Sequence, residues 1–200
     1  MTVGIVGLGL IGGSLAMAFH RDESVTVLGC ARTEATADFA LLAGYIDGIL
    51  TPVKLRDCEL VLLASYPETC IDYLRAHADD FSKTGIVMDC GGTKKEICDI
   101  GFAMAKEHGF TFVGGHPMAG TQFSGLKYAK ATLFDRAPMV IVPPVYDDIE
   151  LLARIKRLLK PCGFGRFSVT TAESHDEMIA FTSQLAHVVS NAYIKSPTAG

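Results

Sequence analysis

Two groups of residues in this chain have the types and the spacing that redox chemistry needs. Gly7, Gly9 and Gly12 follow the pattern G-x-G-x-x-G. In such a loop the first glycine permits a tight turn, the second lets a pyrophosphate approach the backbone, and the third lets a helix pack on a strand. The second group surrounds His116, whose imidazole can accept a proton near neutral pH. These residues predict a dinucleotide-binding loop and a general base.

The residues around the glycines supply the strand and the helix that this loop requires. Val3 to Val6 has the apolar character of a buried strand. Apolar residues recur at helical spacing after the loop, at Ile11, Leu15, Ala18 and Phe19. The N-terminus of that helix offers unpaired N–H groups and a positive dipole end to a pyrophosphate. The predicted cofactor contacts are Gly7, Gly9, Leu10, Ile11 and Gly12, and the alternative is a glycine-rich turn without a ligand.

The composition of the 200 residues is typical of a soluble protein with one or two domains. The formal net charge is -4 and the basic residues form no stripe, so nucleic acid is not an expected partner. No apolar run reaches the roughly 20 residues of a membrane-spanning helix, and the N-terminal run enters its glycine turn too early for a signal peptide. We therefore expect a cytoplasmic protein that does not contact a membrane.

Cysteine spacing argues against a metal site. The six cysteines include no C-x-x-C pair: Cys30, Cys58, Cys70, Cys90, Cys98 and Cys162. Neither metal ligation nor a disulfide framework is expected from such spacing. We expect reduced thiols that are mostly buried as small apolar groups.

Predicted strands and helices alternate as far as residue 169. The predicted strands are Val3–Val6, Val25–Leu28, Glu59–Ala64, Ile86–Asp89, Phe110–Val113, Met139–Val142 and Phe164–Val169. The predicted helices start near Ile11, Glu34, Pro67, Lys94 and Asp147, and those starting at Glu34, Pro67 and Asp147 end near Leu42, Phe81 and Lys160. This alternation predicts an α/β fold over residues 1–169, a Rossmann-type, doubly wound and mostly parallel sheet.

The pattern changes at residue 170 to a single long helical segment. Thr171 or Ser174 is its predicted cap. Its candidate apolar positions are Met178, Phe181, Leu185, Val188, Val189 and Ala192. A helix with this much apolar surface must pack on the sheet domain or on another chain. We therefore predict that residues 170–200 are the first helix of an all-helical second domain that the chain contains only in part.

The residues after the second strand predict the choice between the two nicotinamide cofactors. A carboxylate at this point binds the ribose 2′-hydroxyl of NAD, whereas an arginine accommodates the 2′-phosphate of NADP. This chain has Ala31, Arg32 and Thr33 there and no acid, which favours NADP over NAD. The alternative is that Arg32 only stacks on adenine or extends into solvent. The residues that follow the third predicted strand are further predicted cofactor contacts, namely Ser65, Tyr66 and Pro67.

The candidate base follows another predicted strand. Ligands of doubly wound sheets bind at the carboxyl ends of the strands. His116 comes shortly after Val113, within a predicted glycine-rich turn over residues 114–120. A neutral imidazole there could take a proton from a hydroxyl while hydride leaves the same carbon. The alternative is a histidine that only satisfies a turn.

Four motifs of the chain belong together: the glycine loop Gly7–Ser14, the block His116–Gly120, the pair Ser124-Gly125 and the pair Leu133-Phe134. In combination they resemble the prephenate and arogenate dehydrogenases of tyrosine biosynthesis. The resemblance implies oxidative decarboxylation of prephenate to 4-hydroxyphenylpyruvate, with hydride passing to NAD or NADP. In that reaction His116 would remove the proton of the C4 hydroxyl.

The resemblance also implies substrate-binding residues and an assembly. His175 and His187 match histidines that the family places around the substrate pocket, and Gly92 stands where many members carry a serine that bonds the substrate hydroxyl. Thr93, one residue later, is the predicted replacement for that hydroxyl; the alternatives are a water, the backbone, or catalysis that is tuned differently. A homodimer through the C-terminal helical region is expected.

Three alternatives remain open from the sequence. Arogenate is the close alternative substrate. The β-hydroxyacid dehydrogenases share the glycine loop but use a lysine on a later helix, for which Lys195 is the one candidate. The third alternative is a cofactor-binding fragment without turnover.

Overall fold

The structure is a computed structural model that describes residues 1–182. Eight strands form one sheet: β1 (Thr2–Val6), β2 (Thr26–Cys30), β3 (Gly48–Ile49), β4 (Leu60–Leu63), β5 (Ile86–Asp89), β6 (Thr111–Pro117), β7 (Pro138–Val142) and β8 (Arg166–Val169). The α-helices are α1 (Leu10–His20), α2 (Glu34–Leu42), α3 (Pro67–His77), α4 (Lys95–His108) and α5 (Ile149–Leu158), and residues 172–182 are also helical. Short 3-10 helices cover Pro52–Asp57, Leu126–Tyr128 and Lys160–Cys162.

The strand order is β3-β2-β1-β4-β5-β6-β7-β8, and every neighbouring pair except β6 with β7 is parallel. This order confirms the predicted doubly wound, mostly parallel sheet. Strands β4 and β5 are buried along their whole length, as expected for strands covered on both faces. One apolar cluster packs α1, α2 and α5 on one face, and a second packs α3 and α4 on the other.

The chain reverses its direction of winding between β1 and β4, which pair side by side. Ligands of such sheets bind in the crevice at this point, outside the carboxyl ends of the strands. The loop after β1 and the loop after β4 therefore flank one crevice. The loop after β5 and the C-terminal end of β6 lie along the same edge of the sheet.

Strand β6 changes its partner along its length. Its first part pairs in parallel with β5, and its second part, which contains His116, pairs antiparallel with β7. The prediction of a turn over residues 114–120 is therefore wrong at its start, because the strand continues through Pro117. Glycine at position 115 permits β6 to lie close to the end of β5, since a Cβ atom there would lie 2.6 Å from the carbonyl oxygen of Asp89.

Other differences from the predicted elements are small. Strand β3 has only two residues, too few to give a pattern in the sequence. Helix α3 ends at His77 rather than near Phe81. Helix α5 is shorter than predicted at both ends, and the side chain of Asp148 caps its start by accepting the N–H of Leu151 at 3.0 Å.

The helical residues 172–182 start as the sequence predicts. Thr171 Oγ1 accepts the N–H of Ser174 at 3.2 Å, so Thr171 is the capping residue. Of the predicted apolar positions, Met178 is 61% exposed and Phe181 is 65% exposed. The other predicted apolar positions, together with His187 and Lys195, lie outside the described residues. The division into domains at residue 170 stays a prediction.

All six cysteines are free thiols, and five of them are buried. Burial raises the pKa of Cys70 to about 11 and that of Cys98 to about 12, so both thiols are protonated at neutral pH. Within residues 1–182, no helix combines the length and the hydropathy needed to cross a bilayer.

Candidate active site

The three glycines of the N-terminal loop have three different environments. Gly7 has a φ of 95°, and a Cβ atom on it would lie 2.8 Å from the carbonyl oxygen of Ala64. A Cβ atom on Gly12 would overlap the carbonyl oxygen of Gly7. At Gly9, by contrast, a Cβ atom would meet no atom within 4 Å. The loop is therefore tight at its first and third glycines and open at its second, which is the arrangement that leaves backbone exposed to a pyrophosphate.

Helix α1 starts at this loop with its backbone donors available. Gly9 is its N-cap residue and supplies no side-chain acceptor, and the first turn contains no acidic residue. The first N–H groups of a helix have no partner within the helix, and the helix dipole makes this end positive. The N–H groups at Leu10 and Ile11 are therefore suited to an anionic phosphate, and the loop fits the pyrophosphate of a dinucleotide.

The predicted ribose contacts lie at the far end of β2. Arg32 and Thr33 are exposed, and Thr33 Oγ1 lies 2.8 Å from Thr36 Oγ1. Among residues 1–182 no carboxylate forms an ion pair with Arg32. Within this described part of the chain, the guanidinium therefore has no ion-pair partner at the point where the ribose of a dinucleotide is expected.

The segment after β4 lies across the crevice from the glycine loop. A Cβ atom on Gly7 would lie 3.1 Å from the Cβ atom of Ser65, so the two predicted cofactor segments are in contact. Tyr66 is 76% exposed. Pro67 starts helix α3, where its missing N–H costs no hydrogen bond.

His116 and His175 form a hydrogen bond that the sequence does not predict. His116 Nδ1 lies 2.8 Å from His175 Nε2, and His175 Nδ1 lies 2.7 Å from Asp176 Oδ1. A carboxylate only accepts, so His175 Nδ1–H donates to Asp176 and its Nε2 accepts from His116 Nδ1–H. This assignment of protons leaves the lone pair on His116 Nε2 free.

The free nitrogen of His116 faces the loop after β5. A Cβ atom on Gly92 would lie 3.9 Å from His116 Nε2, so the structure brings these two predicted site residues together. Thr93 is exposed, and within the described residues it forms no hydrogen bond with His116. Its role as the replacement hydroxyl stays a prediction.

The electrostatic surroundings keep His116 neutral. Burial is the main cause that lowers its pKa to about 4; the neighbouring imidazole of His175 and the Lys94 ammonium act in the same direction, whereas Asp176 opposes them. Partial burial would raise the pKa of Asp176, but hydrogen bonds from Lys95 N–H, His175 and Lys94 N–H lower it below its ordinary value. At neutral pH the site therefore holds a neutral His116 beside a charged carboxylate.

Three charged residues of the site, Asp89, Lys94 and Asp176, are not predicted by any sequence pattern. Asp176 Oδ1 accepts the N–H of Lys94 at 2.7 Å, and its Oδ2 accepts the N–H of Lys95 at 2.9 Å, so it caps helix α4. Asp89 and Lys94 form an ion pair in which both side chains are buried. The available signal was weak: Asp89 is a charged residue at the end of an otherwise apolar strand.

A sequence profile for the nucleotide-binding domain of prephenate dehydrogenase matches residues 15–168. The chain belongs to the prephenate dehydrogenase family. The match lies almost entirely within the part of the chain that forms the sheet and its helices.

A curated member of the prephenate dehydrogenase family, the prephenate dehydrogenase of Bacillus subtilis (strain 168), is 30% identical over 203 residues. The alignment covers 96% of this chain and 53% of the relative. This chain therefore spans about half the length of that relative.

Solved structures of the prephenate dehydrogenase family have the same fold. The crystal structure of Synechocystis arogenate dehydrogenase matches with a TM-score of 0.84 and 29% identity, over 98% of this chain and 70% of that one. Prephenate dehydrogenase from A. aeolicus, in complex with hydroxyphenyl propionate and NAD+, matches with a TM-score of 0.75 and 26% identity. That match covers 99% of this chain and 71% of the other.

Proposed function

We propose that this chain is the dinucleotide-binding and proton-accepting part of an enzyme that oxidises and decarboxylates prephenate. The observation that carries the proposal is the free Nε2 atom of His116, held by the His175 and Asp176 hydrogen bonds at the edge of the sheet. Membership of the prephenate dehydrogenase family supports the same reaction. Arogenate is the second candidate substrate, supported by the similarity to an arogenate dehydrogenase.

The cofactor is NAD or NADP, and we propose that NADP is preferred. The open glycine loop and the first N–H groups of α1 would hold the pyrophosphate, and Ala31, Arg32 and Thr33 would hold the ribose. Arg32 can donate several hydrogen bonds to a 2′-phosphate in a planar geometry. When bound, the nicotinamide accepts hydride from the substrate carbon. Ser65, Tyr66 and Pro67 close the other side of the crevice.

His116 would act as the general base. Its Nε2 atom accepts the proton of the C4 hydroxyl, and His175 Nε2 keeps the Nδ1–H of His116 in place throughout. The carboxylate of Asp176, beyond His175, stabilises the positive charge that then develops on the imidazoles. Loss of the ring carboxylate as carbon dioxide makes the ring aromatic and requires no further base.

The low pKa of His116 is compatible with this role. An imidazole with a pKa of about 4 is unprotonated at neutral pH and therefore ready to accept. Prephenate brings two carboxylates, and negative charge near an imidazole raises its pKa. Substrate binding would therefore strengthen the base at the step where it is needed.

His175 takes a positioning role in this proposal. It is 3% exposed, and its two ring nitrogens are engaged by His116 and by Asp176. We therefore propose that it orients the base, whereas the sequence predicted that it contacts substrate. A homodimer through the C-terminal helical region is likewise a proposal, compatible with the exposure of Met178 and Phe181.

The experiment is a rate measurement with four combinations of substrate and cofactor. Formation of reduced nicotinamide is followed by absorbance with prephenate and with arogenate, each with NAD and with NADP, and cofactor binding is measured by calorimetry. Turnover in any combination supports the enzyme. Cofactor binding without turnover in all four favours a cofactor-binding fragment, and no cofactor binding contradicts the proposal altogether.

A further inference from the structure

A buried carboxylate connects the two backbone segments of the candidate site. Asp89 is the last residue of β5 and is 1% exposed. Its Oδ2 accepts the N–H of Gly91 at 2.9 Å and bonds the Lys94 ammonium, and its Oδ1 accepts the N–H of Gly115 at 3.2 Å. Gly115 directly precedes His116 in the chain.

The hydrogen bond from Gly91 N–H links Asp89 to the opposite wall of the site. Gly91 directly precedes Gly92, the residue that His116 Nε2 faces. One side chain therefore holds the backbone next to the candidate base and the backbone next to the place where the hydroxyl of the substrate is expected.

We propose that Asp89 is a positioning residue for His116, and that Lys94 is the fixed counter-ion that keeps Asp89 charged. The proposal rests on the proposed function of His116 as the general base. Asp89 is buried, so in this proposal it acts through the backbone beside His116 and not by contact with substrate or cofactor. It acts by fixing β6 at Gly115 and the loop at Gly91.

Stability alone does not account for this ion pair. Removing two charges from water is costly, and replacing a buried ion pair with apolar residues is often neutral or stabilising. Burial raises the pKa of Asp89, and the Lys94 ammonium together with the two backbone N–H groups opposes that rise. The Asp89 carboxylate pairs with the buried Lys94 ammonium and also accepts the backbone N–H groups of Gly91 and Gly115. A pair of apolar residues could not hold these two segments.

Tight packing around Gly115 couples the hydrogen bond between its N–H and Asp89 Oδ1 to the position of His116. A Cβ atom there would lie 2.6 Å from the carbonyl oxygen of Asp89 and 2.9 Å from Met139 Cε. Strand β6 is therefore in close contact with the end of β5 on one side and with β7 on the other. A shift at Asp89 moves the backbone that carries His116, and small misplacements of a catalytic group lower rates strongly.

The decisive variant is Asp89→Asn. An amide has a single acceptor oxygen, so it cannot serve both Gly91 and Gly115 as the carboxylate does. We expect kcat to fall about tenfold to 100-fold, while the dissociation constant of the cofactor changes less than about threefold. The matched control is Asp47→Asn, since Asp47 also accepts a backbone N–H, that of Val27 at 2.7 Å, but lies at the other end of the sheet.

A double variant and a measurement that requires no turnover keep the proposal testable if Asp89→Asn does not fold. Asp89→Asn with Lys94→Met removes both charges and leaves no unpaired ion in the interior. Long-range proton–nitrogen NMR of the histidine rings reports the tautomer of His116 without any turnover, with the signals assigned from His116→Asn. We expect both Asp89 variants to change the His116 ring signals and Asp47→Asn to leave them as they are.

The outcomes separate this proposal from the proposed function. If the unchanged chain shows no turnover with any substrate, the proposed function fails, but the ring signals still test Asp89. Unchanged His116 signals in a folded Asp89 variant would overturn the positioning role. So would a kcat that stays within about threefold, or a loss of cofactor affinity as large as the loss of kcat.

Discussion

His116 Nδ1 lies 2.8 Å from His175 Nε2, and this contact fixes which nitrogen of His116 is free to accept a proton. Asp176 sets the tautomer from the other side of His175, at 2.7 Å. The arrangement extends from the start of the helical residues 172–182 to strand β6. The proposed base is therefore oriented by a segment outside the sheet that carries it.

The first prediction concerns the proposed base. His116→Asn should lower kcat by about 100-fold or more, which is the usual contribution of a general base, and leave the cofactor dissociation constant nearly unchanged. Steady-state rates and calorimetry measure the two effects. His108→Asn is the matched control, because His108 bonds Asp79 at the surface. An equal loss of cofactor affinity would make His116 a structural residue.

The second prediction concerns the orienting histidine. His175→Ala removes the acceptor of His116 Nδ1–H, so both tautomers of His116 become populated and kcat should fall about tenfold to 100-fold. The His175 side chain contributes to the lowered pKa of His116, so its removal should also raise that pKa and move the acidic limb of the kcat/KM profile to higher pH. A variant with normal kcat and an unmoved limb would show that the contact has no catalytic role.

The third prediction concerns pH. The neutral form of His116 is the active one, so kcat/KM should rise with pH through a pKa of about 4 and then stay level toward neutral pH. In the complex, the substrate carboxylates raise this pKa, so the acidic limb of kcat should lie at higher pH than that of kcat/KM. Coincident limbs near the ordinary histidine value of about 6.5 would contradict the buried, neutral base.

The fourth prediction concerns the cofactor preference. Arg32→Ala should weaken NADP binding by about tenfold or more, since it removes charge-assisted hydrogen bonds to the 2′-phosphate, and should change NAD binding much less. Arg75→Ala is the control, because Arg75 is an exposed arginine on α3. Equal weakening of both cofactors, measured by calorimetry, would argue that Arg32 contacts adenine and not the phosphate.

The fifth prediction concerns the glycine that faces the base. A Cβ atom on Gly92 would make only an ordinary contact with His116 Nε2, at 3.9 Å, so serine should fit there. Gly92→Ser should raise kcat several-fold by adding a hydroxyl beside the base. Thr93→Val tests whether Thr93 already supplies one, and a large fall in kcat would mean that it does.

The fold class and the local elements follow from the sequence without the structure. The glycine loop lies between an apolar strand and an amphipathic helix, and this pattern is local, so it could be interpreted without coordinates. The same holds for the alternation of strands and helices through residue 169, which fixes a doubly wound sheet because few connections are compatible with it. The resemblance of the block His116–Gly120 to one family pointed to the candidate base.

The way in which the base is held depends on contacts between residues that are distant in the sequence. His116 and His175 are 59 positions apart, and Asp89 and Gly115 are 26 apart, so no local pattern relates them. The continuation of β6 through Pro117 depends on pairing with β7, which a strand propensity cannot predict. Hydrogen bonds between distant residues form only when packing brings the elements together, and for this reason the tautomer of His116 and the roles of Asp176 and Asp89 follow from the fold alone.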